Sequence, residues 1–495
     1  MSLITFSDVT FAYDGSYDNV FEGLSLGLDT DWRLGLVGRN GRGKTTLLRL
    51  LTGELQPRGR VTAPTGLHRF PALVRDPAAP ALQAAADAGG DFEPWALSRE
   101  LSLLGLSDEL LARPFETLSG GEQTRLLLAA LFAGENPYPL IDEPTNHLDR
   151  EGRARVADYL RRKDGFLLVS HDRALLDGCI DHVLSLNRAG IDLLRGNFSD
   201  WQREKQRRDD FERAENEKLR REIDRLDAAA RRATVWSDRV ERSKKGTKNS
   251  GLRPDRGYIG HKSAKMMQRA KNVQSRRENA AAESAKLLHN IETAETLKLS
   301  PLTHPKKVFA EARGLSVSCG GKTLFRNVRF TLQQGDRLAV TGGNGCGKTT
   351  LLRLLCGEAV NFSGGLSVAP NLKISTVPQN TDFLRGSLDG FIEQRALDQT
   401  LFKAILRKLD FPRVQFEKSL EHYSAGQRKK VLLAASLCDR AHLYVWDEPL
   451  NYIDVFSRMQ IEDLLLRFQP TLLFVEHDAA FCDKIATGTL SFPQP

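Results

Sequence analysis

The sequence predicts an α/β protein in which one domain occurs twice, each copy having a largely parallel core sheet, with a basic helical segment between the copies. Three observations carry this. The block Gly38-Arg39-Asn40-Gly41-Arg42-Gly43-Lys44-Thr45-Thr46-Leu47-Leu48-Arg49 returns as Gly342-Gly343-Asn344-Gly345-Cys346-Gly347-Lys348-Thr349-Thr350-Leu351-Leu352-Arg353. Asp142-Glu143-Pro144 returns as Asp447-Glu448-Pro449, and Ser170-His171-Asp172 as Glu476-His477-Asp478, in the same order. The stretch between the copies differs from both in composition, and the expected boundaries are 1–200, 201–305 and 306–495.

Each copy opens with alternating apolar residues, Ile4 to Tyr13 and Val308 to Ser318, the pattern of a half-buried strand. A short apolar strand, Leu34 to Val37 or Leu338 to Val340, then runs into the Gly-rich loop and a Leu-rich helix. That strand–loop–helix context is what a genuine phosphate loop requires. Late in each copy one apolar strand ends in the Asp-Glu pair and another in the His. Strands alternating with helices in this way imply a parallel sheet.

The chain has 495 residues, room for two or three domains that each bury a core. No apolar run approaches the roughly 18 to 20 residues of a membrane helix. The first residues lack the basic and apolar regions of a signal peptide. The six cysteines are scattered, with no C-x-x-C pair, so a reducing cytoplasm is the expected compartment. Net charge is +8, and its distribution is uneven: residues 201–300 hold 26 Lys and Arg against 16 Asp and Glu. From Arg231 to Arg277 the balance is 15 basic to 3 acidic.

G-x-x-x-x-G-K-[ST] occurs in both copies. Its glycines (Gly38, Gly41, Gly43; Gly342, Gly345, Gly347) let backbone N–H groups close around phosphates, and the helix N-terminus adds positive dipole. Asn40, Asn344, Thr46 and Thr350 belong to the same loops. Lys44 and Lys348 are expected at the β- and γ-phosphates, and Thr45 and Thr349 on Mg²⁺. Asp142 and Asp447, at strand ends, suit the Mg²⁺ shell. Glu143 and Glu448, one residue on, are placed to polarise an attacking water.

Leu118-Ser119-Gly120-Gly121-Glu122-Gln123 resembles the signature of the ABC ATPases. With the phosphate loops, Asp-Glu pairs and histidines, the resemblance covers nearly all of both copies and implies two tandem P-loop NTPase (ABC ATPase) domains. It further implies head-to-tail closure around two ATP molecules. Site one would join the first loop to Ser424-Ala425-Gly426-Gln427, and site two the second loop to Ser119-Gly120-Gly121-Glu122. His171 and His477 match the family's γ-phosphate histidine, and Asp149 and Asp454 its interface loop. The adenine-stacking aromatic is matched by Tyr13, but Cys319 stands in the second copy. The glutamine that contacts Mg²⁺ and the γ-phosphate is matched by Gln379, but Ala72 stands in the first. The second signature, Tyr423-Ser424-Ala425-Gly426, is a variant. Unequal sites are therefore expected, site one the more altered, with neither dead. Cys346 reads as a small residue tolerated in its loop.

Glu143-Pro144-Thr145-Asn146-His147-Leu148-Asp149 resembles the ABC-F class of translation factors and resistance proteins. Leu219, Ile223, Leu226 and Ala230, and Leu287, Ile291, Ala294 and Leu297, have coiled-coil-like spacing, so the segment reads as an α-helical hairpin linker. Its tip would carry Arg242, Lys244, Lys245, Lys248, Arg253, Arg256 and Lys262, a surface suited to RNA phosphates. Trp236 and Tyr258 either stack on bases or pack within the hairpin.

Phe11-Ala12-Tyr13-Asp14-Gly15-Ser16-Tyr17-Asp18-Asn19, Gly38-Arg39-Asn40-Gly41-Arg42-Gly43, Tyr423-Ser424-Ala425-Gly426-Gln427, Val445-Trp446-Asp447-Glu448-Pro449-Leu450-Asn451-Tyr452-Ile453-Asp454 and the linker's Asp255-Arg256-Gly257-Tyr258-Ile259-Gly260-His261-Lys262 are similar to the Lsa- and Vga-type resistance branch of ABC-F. The resemblance implies an ATPase using ATP and Mg²⁺, monomeric because closure is intramolecular, with no membrane partner. It would bind the bacterial 70S ribosome near the exit-site tRNA and rRNA and protect it from lincosamide, streptogramin A or pleuromutilin drugs. A housekeeping ABC-F factor for stalled ribosomes and the ATPase subunit of a multi-chain importer are the rival readings. The sequence does not choose the drug class, nor between direct displacement and displacement through rRNA.

Overall fold

The computed structural model describes residues 2–13, 19–136, 138–146, 148–187, 190–243, 261, 264–265, 268, 271–279, 281, 297–319 and 322–492, with the side chains at 227, 230, 231, 233–243, 319, 322 and 413 outside that description. The chain forms two compact units, one of Met1–Ser199 with Ala294–Pro495 and one of Asp200–Thr293.

In the first unit each sequence copy builds the same pair of sheets. One is three-stranded and antiparallel, with Leu3–Phe11 central between Phe21–Asp29 and Arg58–Thr62, matched by Val308–Cys319 between Lys322–Gln333 and Phe362–Val368. Alternation buries Ile4 and Phe6, then Val9 and Phe11; a bulge at Asp8 (φ 52°) moves the buried set from even to odd positions. The second copy repeats this with Ala310 and Ala312, then Leu315 and Val317, around Gly314 (φ 67°). A one-residue insertion is what such a phase change requires.

The other sheet is the parallel core. In the first copy the order is Arg69–Phe70, Leu140–Asp142, Phe166–Val169, Arg33–Gly38, His182–Leu186, with Ile191–Arg195 antiparallel at the edge. In the second it is Ile374–Val377, Leu443–Asp447, Leu472–Val475, Arg337–Thr341, Gly488–Ser491. Strands such as Phe166–Val169 and Leu472–Val475 are buried at every position, as expected where helices cover both faces. In each sheet the phosphate-loop strand neighbours the strand that ends at the His, and the next strand out ends at the Asp. All three functional groups therefore emerge at one carboxyl edge, where α/β sheets place ligands.

Most of the helix Phe198–Ser243, 46 residues long, and helical residues 271–279 belong to the second unit. Leu219, Ile223 and Leu226 lie on that helix. Lys244, Lys245, Lys248, Arg253, Arg256, Lys262, Tyr258, Leu287, Ile291 and Ala294 lie outside the described residues, as do the side chains of Arg242, Trp236 and Ala230. One apolar position of the hairpin pattern is corrected. Leu297 lies in chain without regular secondary structure and is buried with Leu299 in the core that holds Phe402, Tyr444 and Phe474. Leu297 continues a helical interval from Ala294, but its two-residue spacing to Leu299 is that of extended chain, and that pairing is the one the fold uses. Among the described residues no helix is long and apolar enough to cross a membrane.

Candidate functional site

The phosphate-loop helices Lys44–Leu51 and Lys348–Leu355 begin directly after left-handed glycines, Gly43 (φ 88°) and Gly347 (φ 98°). A Cβ at Gly43 would lie 2.6 Å from Val20 Cγ1, and one at Gly347 2.9 Å from Phe325 Cδ1, so conformation and space both demand glycine. Each loop wraps its lysine. Lys44 Nζ donates to the carbonyls of Gly38 (2.7 Å) and Arg39 (3.2 Å), and Lys348 Nζ to those of Gly342 and Gly343 (both 2.8 Å). Thr45 Oγ1 donates to Asp142 at 3.2 Å and Thr349 Oγ1 to Asp447 at 2.7 Å, joining loop to strand end. Cys346 is buried among apolar side chains of its domain.

The two copies face each other head to tail across two cavities. The first, about 900 Å³, is lined by Tyr13, Lys44, Glu143 and His171 from one copy and by Ser424 and Gly426 from the other. The second, about 790 Å³, is lined by Lys348, Glu448, Gln379 and His477 on one side and by Ser119 and Gly121 on the other. Gly120 also lines the second; Thr46 lines the first and Thr350 the second. Both signature serines cap helices: Ser119 forms a reciprocal capping box with Glu122, and Ser424 with Gln427. The amides at those helix starts border the cavities, which suits an anion.

The cavities differ chemically. Burial, with Asp142 beside it, pushes the Glu143 carboxyl up to about 8. Its Oε1 makes no hydrogen bond and sits 3.5 Å from His171 Nε2. Burial, reinforced by Lys44 and by Arg458 of the other copy, holds His171 well below its ordinary value. Burial also opposes ionisation of Glu448, but hydrogen bonds with His477 and Gln379 outweigh it and hold the carboxyl below its usual range. His477 Nε2 lies 3.4 Å from Glu448 Oε1. Strand register accounts for the difference: Phe70 pairs with Ile141 as Val377 pairs with Trp446, which puts Ala72 in the place of Gln379. Cys319 ends its strand, with its side chain outside the described residues. Tyr13 is half exposed; its hydroxyl hydrogen-bonds Thr46 Oγ1 at 2.9 Å and its ring meets Phe11 edge-on.

Asp447 Oδ1 is buried without a hydrogen bond, and burial raises both Asp142 and Asp447 above the usual carboxylate value. A carboxylate oxygen aimed at nothing, next to a threonine hydroxyl and Gln379, is an all-oxygen set that fits a hard cation such as Mg²⁺.

Contacts between the copies went unread in the sequence. Asn40 Nδ2 donates to Tyr452 O at 3.0 Å, Arg42 pairs with Asp410 at 3.8 Å, and the Arg39 guanidinium lies 5.7 Å from the Phe456 ring centre. Tyr452 is itself left-handed (φ 62°). Asp149 and Asp454 each cap a helix, accepting from Gly152 N and Ser457 N, and Asp454 forms a fully buried pair with Lys430 at 3.0 Å.

Two parallel-sheet domains, each with its phosphate-loop motif on a cavity that the other domain's signature completes, define a twin-domain ABC ATPase. The ABC transporter family model matches residues 21–146 and 325–451. The chain is 30% identical to the ribosome protection protein VmlR of Bacillus subtilis strain 168, over 99% of this chain and 86% of that one. It is 31% identical to the ATP-binding protein Uup of Caulobacter vibrioides, over 99% of this chain and 77% of that one. Among solved structures, the archaeal ribosome recycling factor aABCE1, crystallised with the stalk protein aP1, superposes with a TM-score of 0.63 at 19% identity over 99% of this chain and 88% of that one, a likeness of fold. The chain belongs to the ABC-F family of ABC ATPases.

Proposed function

We propose that this ATPase binds the bacterial 70S ribosome in its ATP-closed state and protects it from drugs acting at the peptidyl-transferase centre, of the lincosamide, streptogramin A or pleuromutilin classes. The observation that carries the reading is the similarity, over nearly the whole chain, to a ribosome protection protein. The concentration of positive charge between Arg231 and Arg277 supports an RNA partner, with Arg242, Lys244, Lys245, Lys248, Arg253, Arg256 and Lys262 as the proposed contacts.

In this reading the loop amides, Lys44 and Lys348 hold the ATP phosphates, and Ser119, Gly121, Ser424 and Gly426 engage the γ-phosphate only when the copies are closed. Thr45 with Asp142, and Thr349 with Asp447 and Gln379, would hold Mg²⁺, which neutralises charge on the phosphates. Glu143 and Glu448 accept a proton from the attacking water; His171 and His477 orient them. Each cavity takes walls from both copies, so a nucleotide bound in either one favours closure.

The test is co-sedimentation of the Glu143→Gln, Glu448→Gln protein with 70S ribosomes in ATP. Retention above wild type is expected. Equal retention defeats the reading. Growth of expressing cells with and without drug then separates protection from a housekeeping role on stalled ribosomes.

A further inference from the structure

The helix Ala425–Cys438 begins at the first cavity, where its cap Ser424 lines the wall. About 8 Å further along the axis, at the rise of an α-helix, it carries Lys429. That side chain is almost wholly buried and faces the second copy's own catalytic edge. Its Nζ donates to the carbonyls of Pro378 (2.9 Å), Gln379 (3.4 Å) and Asp447 (3.0 Å). The Asp447 carbonyl belongs to the peptide that leads into Glu448, whose backbone is held left-handed at φ 46°. One ammonium therefore ties together Gln379, Asp447 and the approach to Glu448, all at the second cavity, from a helix whose first turn belongs to the first cavity.

Among the described residues no equivalent contact runs in the other direction. The capping boxes at Ser119 and Ser424 align the two signature helices, and that alignment puts Thr124 where Lys429 stands. A threonine side chain has neither the reach nor the three donors of a lysine.

We propose that Lys429 is a positioning residue that couples the two ATP sites in one direction. Engagement of Ser424 at site one moves the helix as a rigid body, and Lys429 carries that displacement to the carbonyls of Gln379 and Asp447, setting Glu448 at site two. The inference rests on the assignment of Glu143 and Glu448 as the residues that activate water.

The experiment is a double-mutant cycle on the full chain. In a Glu143→Gln background the remaining ATP turnover reports site two. There, Lys429→Thr should lower kcat about tenfold, Ser424→Ala should lower it several-fold, and the pair should lose no more than Lys429→Thr alone. In a Glu448→Gln background, which reports site one, Lys429→Thr should cost several-fold less. Equal losses in the two backgrounds, or additive effects of Ser424→Ala and Lys429→Thr, would overturn the coupling and leave Lys429 a general stabiliser. If Lys429→Thr does not yield folded protein, Lys429→Arg keeps a buried cation with a different reach and enters the same cycle, with additivity again the overturning result. Failure of the underlying assignment shows separately: single Glu143→Gln and Glu448→Gln proteins would then keep wild-type turnover, and the coupling falls with it.

Discussion

Arg173 of the first copy donates to both carboxylate oxygens of Glu462 in the second, and Lys484 donates to the same carboxylate at 2.9 Å. Glu462 is fully buried and the Arg173 side chain nearly so. The repeat places Ala157 opposite Glu462 and Ala479 opposite Arg173, so this ionic link crosses between the copies once, not twice. Glu462→Ala would leave the largely buried Arg173 guanidinium with the longer contact to Asp478 (3.9 Å) in place of a bidentate partner, a change that should cost roughly 3 kcal/mol. Denaturant unfolding should register that loss, while Glu358→Ala, which breaks an exposed pair with Arg353, should cost about 1 kcal/mol or less. Similar costs for the two variants would mean that the interdomain link contributes nothing beyond a surface pair.

Gln379 is the chemical difference between the sites that is easiest to remove. Gln379→Ala should bring Glu448 toward the environment of Glu143 and lower site-two turnover about tenfold, measured in the Glu143→Gln background. The reciprocal change, Ala72→Gln, should raise site-one turnover in the Glu448→Gln background. Unchanged rates in both would show that the asymmetry has another origin.

Tyr13 offers a ring at the mouth of the first cavity. Tyr13→Ala should weaken ATP binding at site one by about 1 to 3 kcal/mol if the ring stacks on the base. Tyr13→Phe keeps the ring and loses only the bond to Thr46, so its Kd for ATP should stay within a few-fold of wild type. An alanine variant that binds as tightly as wild type rules stacking out.

Asp454 gives a pH dependence. Burial disfavours its charge, but Lys430 and then His171 more than compensate, so its folded value lies below the ordinary carboxylate value. A depressed carboxylate stabilises the fold fully above the unfolded value of about 4 and loses that contribution as pH falls toward the folded one. Melting temperature should therefore fall through that acid window, and Asp454→Asn should flatten this part of the curve while lowering stability at neutral pH. A wild-type acid limb unchanged in the variant would assign the loss to other carboxylates.

The phosphate loops, Asp-Glu pairs, histidines and signatures were legible because each is a contiguous motif and each occurs twice. Their surroundings were not. Asn40 reaches Tyr452 across more than four hundred residues of chain, and nothing local to either residue announces the other. Arg173 and Lys429 were nearer to legibility: aligning the copies shows Ala479 and Thr124 in their places, and a charged residue in one copy against a small one in the other signals a contact the repeat does not share. Leu297 was misread because it stands three residues after Ala294, a helical interval, whereas its real companion in the core, Leu299, is two residues on, the spacing of extended chain. The strand bulges at Asp8 and Gly314 were hidden for a related reason, since one inserted residue leaves apolar alternation intact on either side of it.

Each cavity draws one wall from either end of a single polypeptide. The encounter that completes them is therefore unimolecular, with an effective concentration set by the chain and not by how much protein the cell makes. Activity per molecule should therefore be independent of dilution. Cut between the copies, the same two halves would have to find each other, and their joint output would fall with the square of their concentration once below the dissociation constant. Continuity of the chain keeps the two half-sites together at any dilution.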